Sequence, residues 1–114
     1  YVKCYDKTDV HYQELKKMEK ELKKTGFDLV ALPLPSAHYF HDHRLPATYL
    51  NFILINDAVL VPTYHDIYDE AVLQTFEQLY PKRRVIGIDA SILIREHGSL
   101  HCASMNIYTK KEAL

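Results

Sequence analysis

The segment Arg95-Glu96-His97-Gly98-Ser99-Leu100-His101-Cys102 sets a thiol beside two histidines and a glycine. A thiolate is the reactive form of cysteine, and an unperturbed thiol is mostly protonated at neutral pH. Nucleophilic chemistry at Cys102 therefore needs a base, a positive neighbour or converging hydrogen-bond donors. His97 and His101 are the local groups that could supply one. A small buried thiol is the commoner fate of a free cysteine, and spacing alone leaves both readings open. Cys4 lies in a strand pattern and reads as a small buried residue.

A second group of chemically capable residues is His38, His41, Asp42 and His43. Histidines and a carboxylate can ligate a metal or respond to pH near neutrality. Their spacing matches no zinc pattern, so a polar loop is the preferred reading and no metal site is assigned. Lys16, Lys17, Lys20, Lys23 and Lys24 would suit a nucleic-acid face, but Glu14, Glu19 and Glu21 interleave with them. Glu19 precedes Lys23 by one helical turn, which points to a solvated helix face. The nine tyrosines are scattered, and packing is their default use.

The elements that must position these residues belong to an ordinary globular chain. It has 114 residues, 47% hydrophobic and 25% charged, with a formal net charge of −1. That is enough for one modest core. The near-zero charge gives no electrostatic footprint for nucleic acid or a membrane surface, and no apolar run is long enough to span a bilayer. Two cysteines make no disulfide framework, which fits a reducing, cytoplasmic setting. The opening on Tyr1 without a Met suggests a piece of a longer protein.

Residues 1–5 read as a strand and residues 10–24 as a helix with Leu15, Met18 and Leu22 at helical spacing. Gly26 would stop that helix. Residues 27–32 form an apolar run expected to be a strand covered on both faces. Residues 33–47 lack a period and read as a loop. Residues 49–55 and 58–61 read as a β-hairpin whose Asn56-Asp57 turn would tolerate positive φ. Asp66 or Asp69 would cap a helix over 69–80, with Val72, Leu73, Phe76 and Leu79 inward and Pro81 as its stop. A strand over 84–89, a helical turn over 90–95 and a last strand over 100–107 complete the pattern. Strand, aspartate-bearing loop, helix and strand thus occur twice, as in a repeated αβ module. Pattern alone supports an α/β or α+β class.

Four segments, in order, carry a family resemblance. Arg44-Leu45-Pro46-Ala47-Thr48-Tyr49-Leu50-Asn51-Phe52 resembles the Leu-Pro-Ala-Ser-Tyr-x-Asn-Phe segment of agmatine deiminases. Ala58-Val59-Leu60-Val61-Pro62-Thr63-Tyr64 with Asp69-Glu70 resembles their next strand and acidic helix start. Val85-Ile86-Gly87-Ile88-Asp89-Ala90 resembles the strand before their nucleophile, and Leu100-His101-Cys102 resembles their Ile-His-Cys. The family is the agmatine and bacterial-type peptidylarginine deiminase group of the guanidine-modifying penteins.

The resemblance implies a pentein-type αβ propeller built from repeated αβ modules. Residues 1–114 would form the C-terminal portion of a single deiminase domain, about two modules, the last carrying the nucleophile. It makes Cys102 the nucleophile and sets Asn51 near the substrate. It implies hydrolysis of a guanidinium through a covalent thiouronium, with agmatine giving N-carbamoylputrescine and ammonia for polyamine synthesis. Arginine in peptides is the alternative substrate, and a non-enzymatic binding module that keeps the fold is the alternative of another class. No cofactor is implied. The partner is a small guanidino substrate, with no nucleic acid or membrane, and a homodimer is left open. The family's catalytic histidine and carboxylates lie in motifs with no match here, so these residues alone are expected to be inactive. One departure stands out. A run of three glycines precedes the nucleophile segment in many agmatine deiminases, and Glu96, His97 and Gly98 stand there instead, which implies a different turn.

Overall fold

The computed structural model describes residues 1–109 of the chain. The first unit is β1 (Val2–Lys3), α1 (Tyr12–Leu22) and β2 (Leu32–Pro33), with β1 and β2 parallel and Val2 opposite Leu32. Parallel neighbours need a crossover, and α1 supplies it. Asp6 accepts from the amide and hydroxyl of Thr8, and Asp9 accepts from the amide of His11, so the two acids build the turn into the helix. No residue of α1 is fully buried. Its lysine side is solvated, and Glu19 gathers Lys23, Lys3 and the Tyr1 hydroxyl.

The run over 27–32 departs from expectation. Only its last residue enters a strand, and Phe27 is 77% exposed. Its ladder partner is short: Leu32 donates to the Tyr1 carbonyl and Leu34 to the Lys3 carbonyl, both at 2.8 Å. An apolar run with a two-residue partner cannot pair along its length, and composition gave no sign of this.

The stretch read as a loop contains a small hairpin, β3 (Tyr39–Phe40) and β4 (His43–Arg44). His41 and Asp42 turn it with φ of 49° and 62°. Two consecutive positive φ values suit the right-handed twist of a tight hairpin. Arg44 at its end grips Asp9 with both terminal nitrogens, at 2.9 and 2.7 Å, and so anchors the hairpin to the turn before α1.

The second unit is β5 (Ile53–Leu54), β6 (Ala58–Thr63), α2 (Asp69–Leu79) and β7 (Arg84–Asp89). β5 runs antiparallel to β6, and β7 runs parallel to it through all six residues. The hairpin turn is at Asn56-Asp57 as expected, but neither residue takes positive φ. The strand expected from 49 begins only at Ile53, because residues 49–51 are folded into a turn. β6 is the central strand and carries Ala58, Val59, Val61 and Pro62 into the core. From α2, Val72 and Phe76, one turn apart, meet that strand, whereas Leu79 stays outward. Phe76 packs edge-on against Phe52 at 4.8 Å between centroids. Full burial of one such side chain contributes roughly 1.5–3 kcal/mol. Gly87 lets α2 approach β7, since a Cβ there would stand 3.1 Å from Thr63 and 3.3 Å from Leu73.

After β7 the chain makes a 3₁₀ turn (Leu93–Glu96) that buries Ile94. The strand expected over 100–107 is absent. Ala103 donates to the Ser99 and Leu100 carbonyls and Ser104 to that of His101, so the segment is coiled into turns. Two parallel β–α–β units are thus present in a mixed α/β chain. Among the described residues, no helix is long and apolar enough to cross a membrane.

Candidate functional site

Two turns from distant parts of the chain meet at the outer end of the second unit. One spans residues 48–51 and is closed by the Asn51 amide on the Thr48 carbonyl at 3.3 Å and by the Leu50 amide on the Thr48 hydroxyl. The other spans residues 98–104. They are joined three times. The Cys102 amide donates to Asn51 Oδ1 at 3.0 Å, Asn51 Nδ2 donates to Cys102 Sγ at 3.0 Å, and the His101 amide donates to the Asn51 carbonyl at 3.1 Å. The side chain of one residue thereby fixes both the backbone and the sulfur of another, 51 positions away.

This geometry tunes the thiol. The Cys102 pKa is lowered, first by the Asn51 carboxamide donor and next by a main-chain hydrogen bond from Ser99, against a smaller opposing effect of burial. Donors aimed at sulfur favour the charged form. Cys102 is exposed, so a reagent can reach it. Cys4 is the reverse case. It is buried, bonded to the Asp6 carbonyl, and desolvation pushes its pKa up.

The turn before Cys102 takes an unusual form. His97 adopts φ 61° and ψ 24°, the left-handed region that a glycine enters without strain and that histidine enters more often than most residues. Gly98 matters for space instead. A Cβ on it would lie 3.0 Å from Cys102 Cβ and 3.7 Å from Sγ. The glycine leaves room for the thiol-bearing turn to fold back. Neither histidine ring bonds the sulfur. His101 offers its amide to Asn51, and the His97 amide caps the Ile94 carbonyl.

Beneath the turns lies a buried polar hub. Tyr64, 1% exposed, stands just after β6. Its hydroxyl lies 2.8 Å from the Thr48 carbonyl, 3.2 Å from the Thr48 amide and 2.7 Å from the hydroxyl of Ser99, itself 1% exposed. Asp69 at the start of α2 accepts from the Tyr64 and Asp66 amides and from the Tyr49 hydroxyl at 2.6 Å. Burial, then Asp69, holds the Tyr49 phenol far above its ordinary pKa, and burial raises that of Tyr64. Both tyrosines therefore stay neutral and keep a proton to donate. Neither Asp66 nor Asp69 is the expected cap: Tyr68 holds the N-cap position with no side-chain cap bond, Asp69 lies inside the first turn, and Asp66 bonds the Tyr68 amide. Thr48, Tyr64 and Ser99 had no role in the sequence reading. The available signal was a Tyr closing an apolar strand, since a buried phenol requires a partner for its hydroxyl.

The histidine-rich stretch does not converge. His38 Nε2 meets the buried Asp66 carboxylate at 3.2 Å, which also accepts the Ser36 amide. His41 lies against Phe40. Among the described residues, no group of three or more His, Cys, Asp or Glu side chains gathers as a metal would require.

These features can be set beside known proteins. A candidate agmatine deiminase of Legionella pneumophila (strain Paris) is 28% identical over 104 residues, 85% of this chain and 30% of that protein. The solved agmatine deiminase of C. jejuni superposes with a TM-score of 0.93 at 44% identity, covering 98% of this chain and 35% of that one. A Cys-to-Ser form of the C. jejuni agmatine deiminase with substrate bound gives 0.86 at 46% identity, over 89% and 30% of the two chains. The chain thus spans 30% or less of the length of the curated relatives it matches. Residues 1–107 match the Porphyromonas-type peptidyl-arginine deiminase family, and the chain belongs to it.

Proposed function

We propose that the whole protein is a deiminase that hydrolyses a guanidinium group with Cys102 as nucleophile, and that its substrate is agmatine. The observation that carries this is the bond from Asn51 to Cys102 Sγ at 3.0 Å, which favours an exposed thiolate within a chain of the deiminase family. The substrate cation adds to it, because a positive charge beside sulfur stabilises the thiolate. Sulfur attacks the guanidinium carbon and forms a tetrahedral adduct. A proton moves to one nitrogen, ammonia leaves, and a thiouronium remains on Cys102. Water then adds at that carbon, the C–S bond breaks, and the ureido product departs with the thiol restored. The donor and acceptor of these protons, and the carboxylates that clamp the guanidinium, are assigned to parts of the protein outside these residues. Asn51 sits beside the reacting carbon as well as on the sulfur.

Agmatine is favoured by the printed names of the relatives, and the C. jejuni complex with substrate carries a Cys-to-Ser change, in keeping with a thiol that would otherwise consume what it binds. The family description favours a second reading, arginine in peptides. In this proposal residues 1–114 are the C-terminal portion of one deiminase domain, and the two β–α–β units are modules of a pentein propeller. The two free thiols fit a cytoplasmic protein. Turnover of agmatine against arginyl peptides by the whole protein tests the substrate: ammonia from agmatine is expected, and release from peptides alone overturns that choice. A non-enzymatic module would release none from either and would label Cys102 no faster than Cys4.

A further inference from the structure

We propose that Tyr64 is a positioning residue of this site, its hydroxyl locking together the two turns that carry Asn51 and Cys102 so that the Asn51 carboxamide stays on the sulfur. The inference rests on the proposed role of Cys102, and goes beyond it in naming what sets the thiol's geometry.

The argument starts from proton counting. A phenol has one proton to donate and oxygen lone pairs to accept with. The Thr48 carbonyl can only accept, so the Tyr64 proton goes to it at 2.8 Å. The Thr48 amide can only donate, and it lies 3.2 Å from the same oxygen. The Ser99 hydroxyl at 2.7 Å must then be a donor. All three contacts are satisfied at once only in this arrangement, and among the described residues no buried side-chain polar atom is left without a partner.

The two ends of the hub matter differently. The Thr48 carbonyl that takes the Tyr64 proton also takes the Asn51 amide, so the phenol holds the turn that aims the carboxamide. Ser99 lies three residues before Cys102 and accepts the Ala103 amide through its carbonyl, so it holds the turn that carries the thiol. Tyr64 therefore touches one turn at its base and the other at its start, 16 and 35 positions away. It stands on the end of the central strand, the best-packed element of the second unit. Removing the hydroxyl strands the Thr48 amide and the Ser99 hydroxyl without their buried partner. The turns then lose a shared side-chain anchor below the surface, and the carboxamide drifts from the sulfur.

The test is the pH dependence of Cys102 alkylation by iodoacetamide in the whole protein, followed at that residue by peptide mass, for the parent, Tyr64→Phe and Ser99→Ala. Steady-state turnover is measured beside it. Tyr64→Phe is expected to move the alkylation profile to higher pH and to slow labelling about tenfold at neutral pH, one unit of thiol pKa. Turnover should fall mainly in kcat. Ser99→Ala should move the profile the same way by less. A Tyr64→Phe protein that melts lower yet keeps the parent's profile overturns the inference, since a merely structural role would do that. Should Tyr64→Phe not fold, an unmoved Ser99→Ala profile overturns it equally. Absence of turnover in the parent counts against the proposed reaction instead, and leaves the alkylation comparison to decide the role of Tyr64.

Discussion

The Asn51 carboxamide engages Cys102 at two atoms, its oxygen taking the Cys102 amide at 3.0 Å and its nitrogen giving to the sulfur at 3.0 Å. Backbone and thiol are thereby held by a single planar group. A thiol on a turn would otherwise rotate freely. The bond to the amide fixes the plane of the carboxamide, and the bond to sulfur follows from that plane.

Asn51→Asp keeps the shape and reverses the electrostatics. Its carboxylate still accepts the Cys102 amide but faces the sulfur with negative charge. The sign follows directly: the thiolate-dependent rate rises with pH through the thiol's pKa, and repulsion moves that rise upward. Labelling of Cys102 at neutral pH should fall by about tenfold or more, with the profile displaced to higher pH. Asn51→Ala, which only deletes the donor, should be displaced less. Alkylation rates across pH check both.

Gly98→Ala asks for space rather than for a backbone change. The added Cβ meets Cys102 Cβ at 3.0 Å, closer than unstrained contacts allow, so the thiol turn must give way by a few tenths of an ångström. Turnover should fall well beyond the loss in stability, which overpacking sets at roughly 1 kcal/mol. Parallel measurement of kcat and of the urea midpoint separates the two effects.

His97→Gly tests the left-handed residue before the thiol. The native φ of 61° costs a histidine something that glycine does not pay, although glycine also gains freedom in the unfolded chain. The two effects nearly offset, so stability should change by less than about 1 kcal/mol. Because the His97 ring makes no bond to the sulfur, the Cys102 alkylation profile should be unmoved; a clear shift would show that the ring takes part.

Asp9 and Arg44 make the acid-sensitive link of the first unit. The Arg44 guanidinium holds the Asp9 carboxyl down to about 2, from 3.8. A depressed folded pKa stabilises above the unfolded value and loses that contribution as pH falls through the folded one. Arg44→Ala should cost on the order of 2 kcal/mol at neutral pH. Its deficit against the parent should shrink between about pH 4 and pH 2. Urea unfolding at several pH values reads this directly.

How far such relationships can be read from sequence depends on whether they are local. β7 and α2 were legible to within a residue, because a continuous apolar run, an i, i+4 pair at Val72 and Phe76, and Pro81 are local signals. The turns at 48–51 and 98–104 were not. Strands were expected over 49–55 and 100–107, yet local bonds such as Asn51 to Thr48 and Ala103 to Ser99 coil the start of each, and bonds between residues 51 apart join the two turns. Asn51 and Cys102 were named through the family motifs, while their mutual contact was invisible. Tyr64 stood inside a quoted motif without a role, since nothing local marks a phenol whose partners lie at Thr48 and Ser99.

The most direct test of the central claim is ammonia release from agmatine and from arginyl peptides by the whole protein with Cys102→Ser, set against the parent. Loss of about 10³-fold or more in kcat is expected if sulfur forms the intermediate. Release at the parent's rate from a folded Cys102→Ser protein would contradict the account.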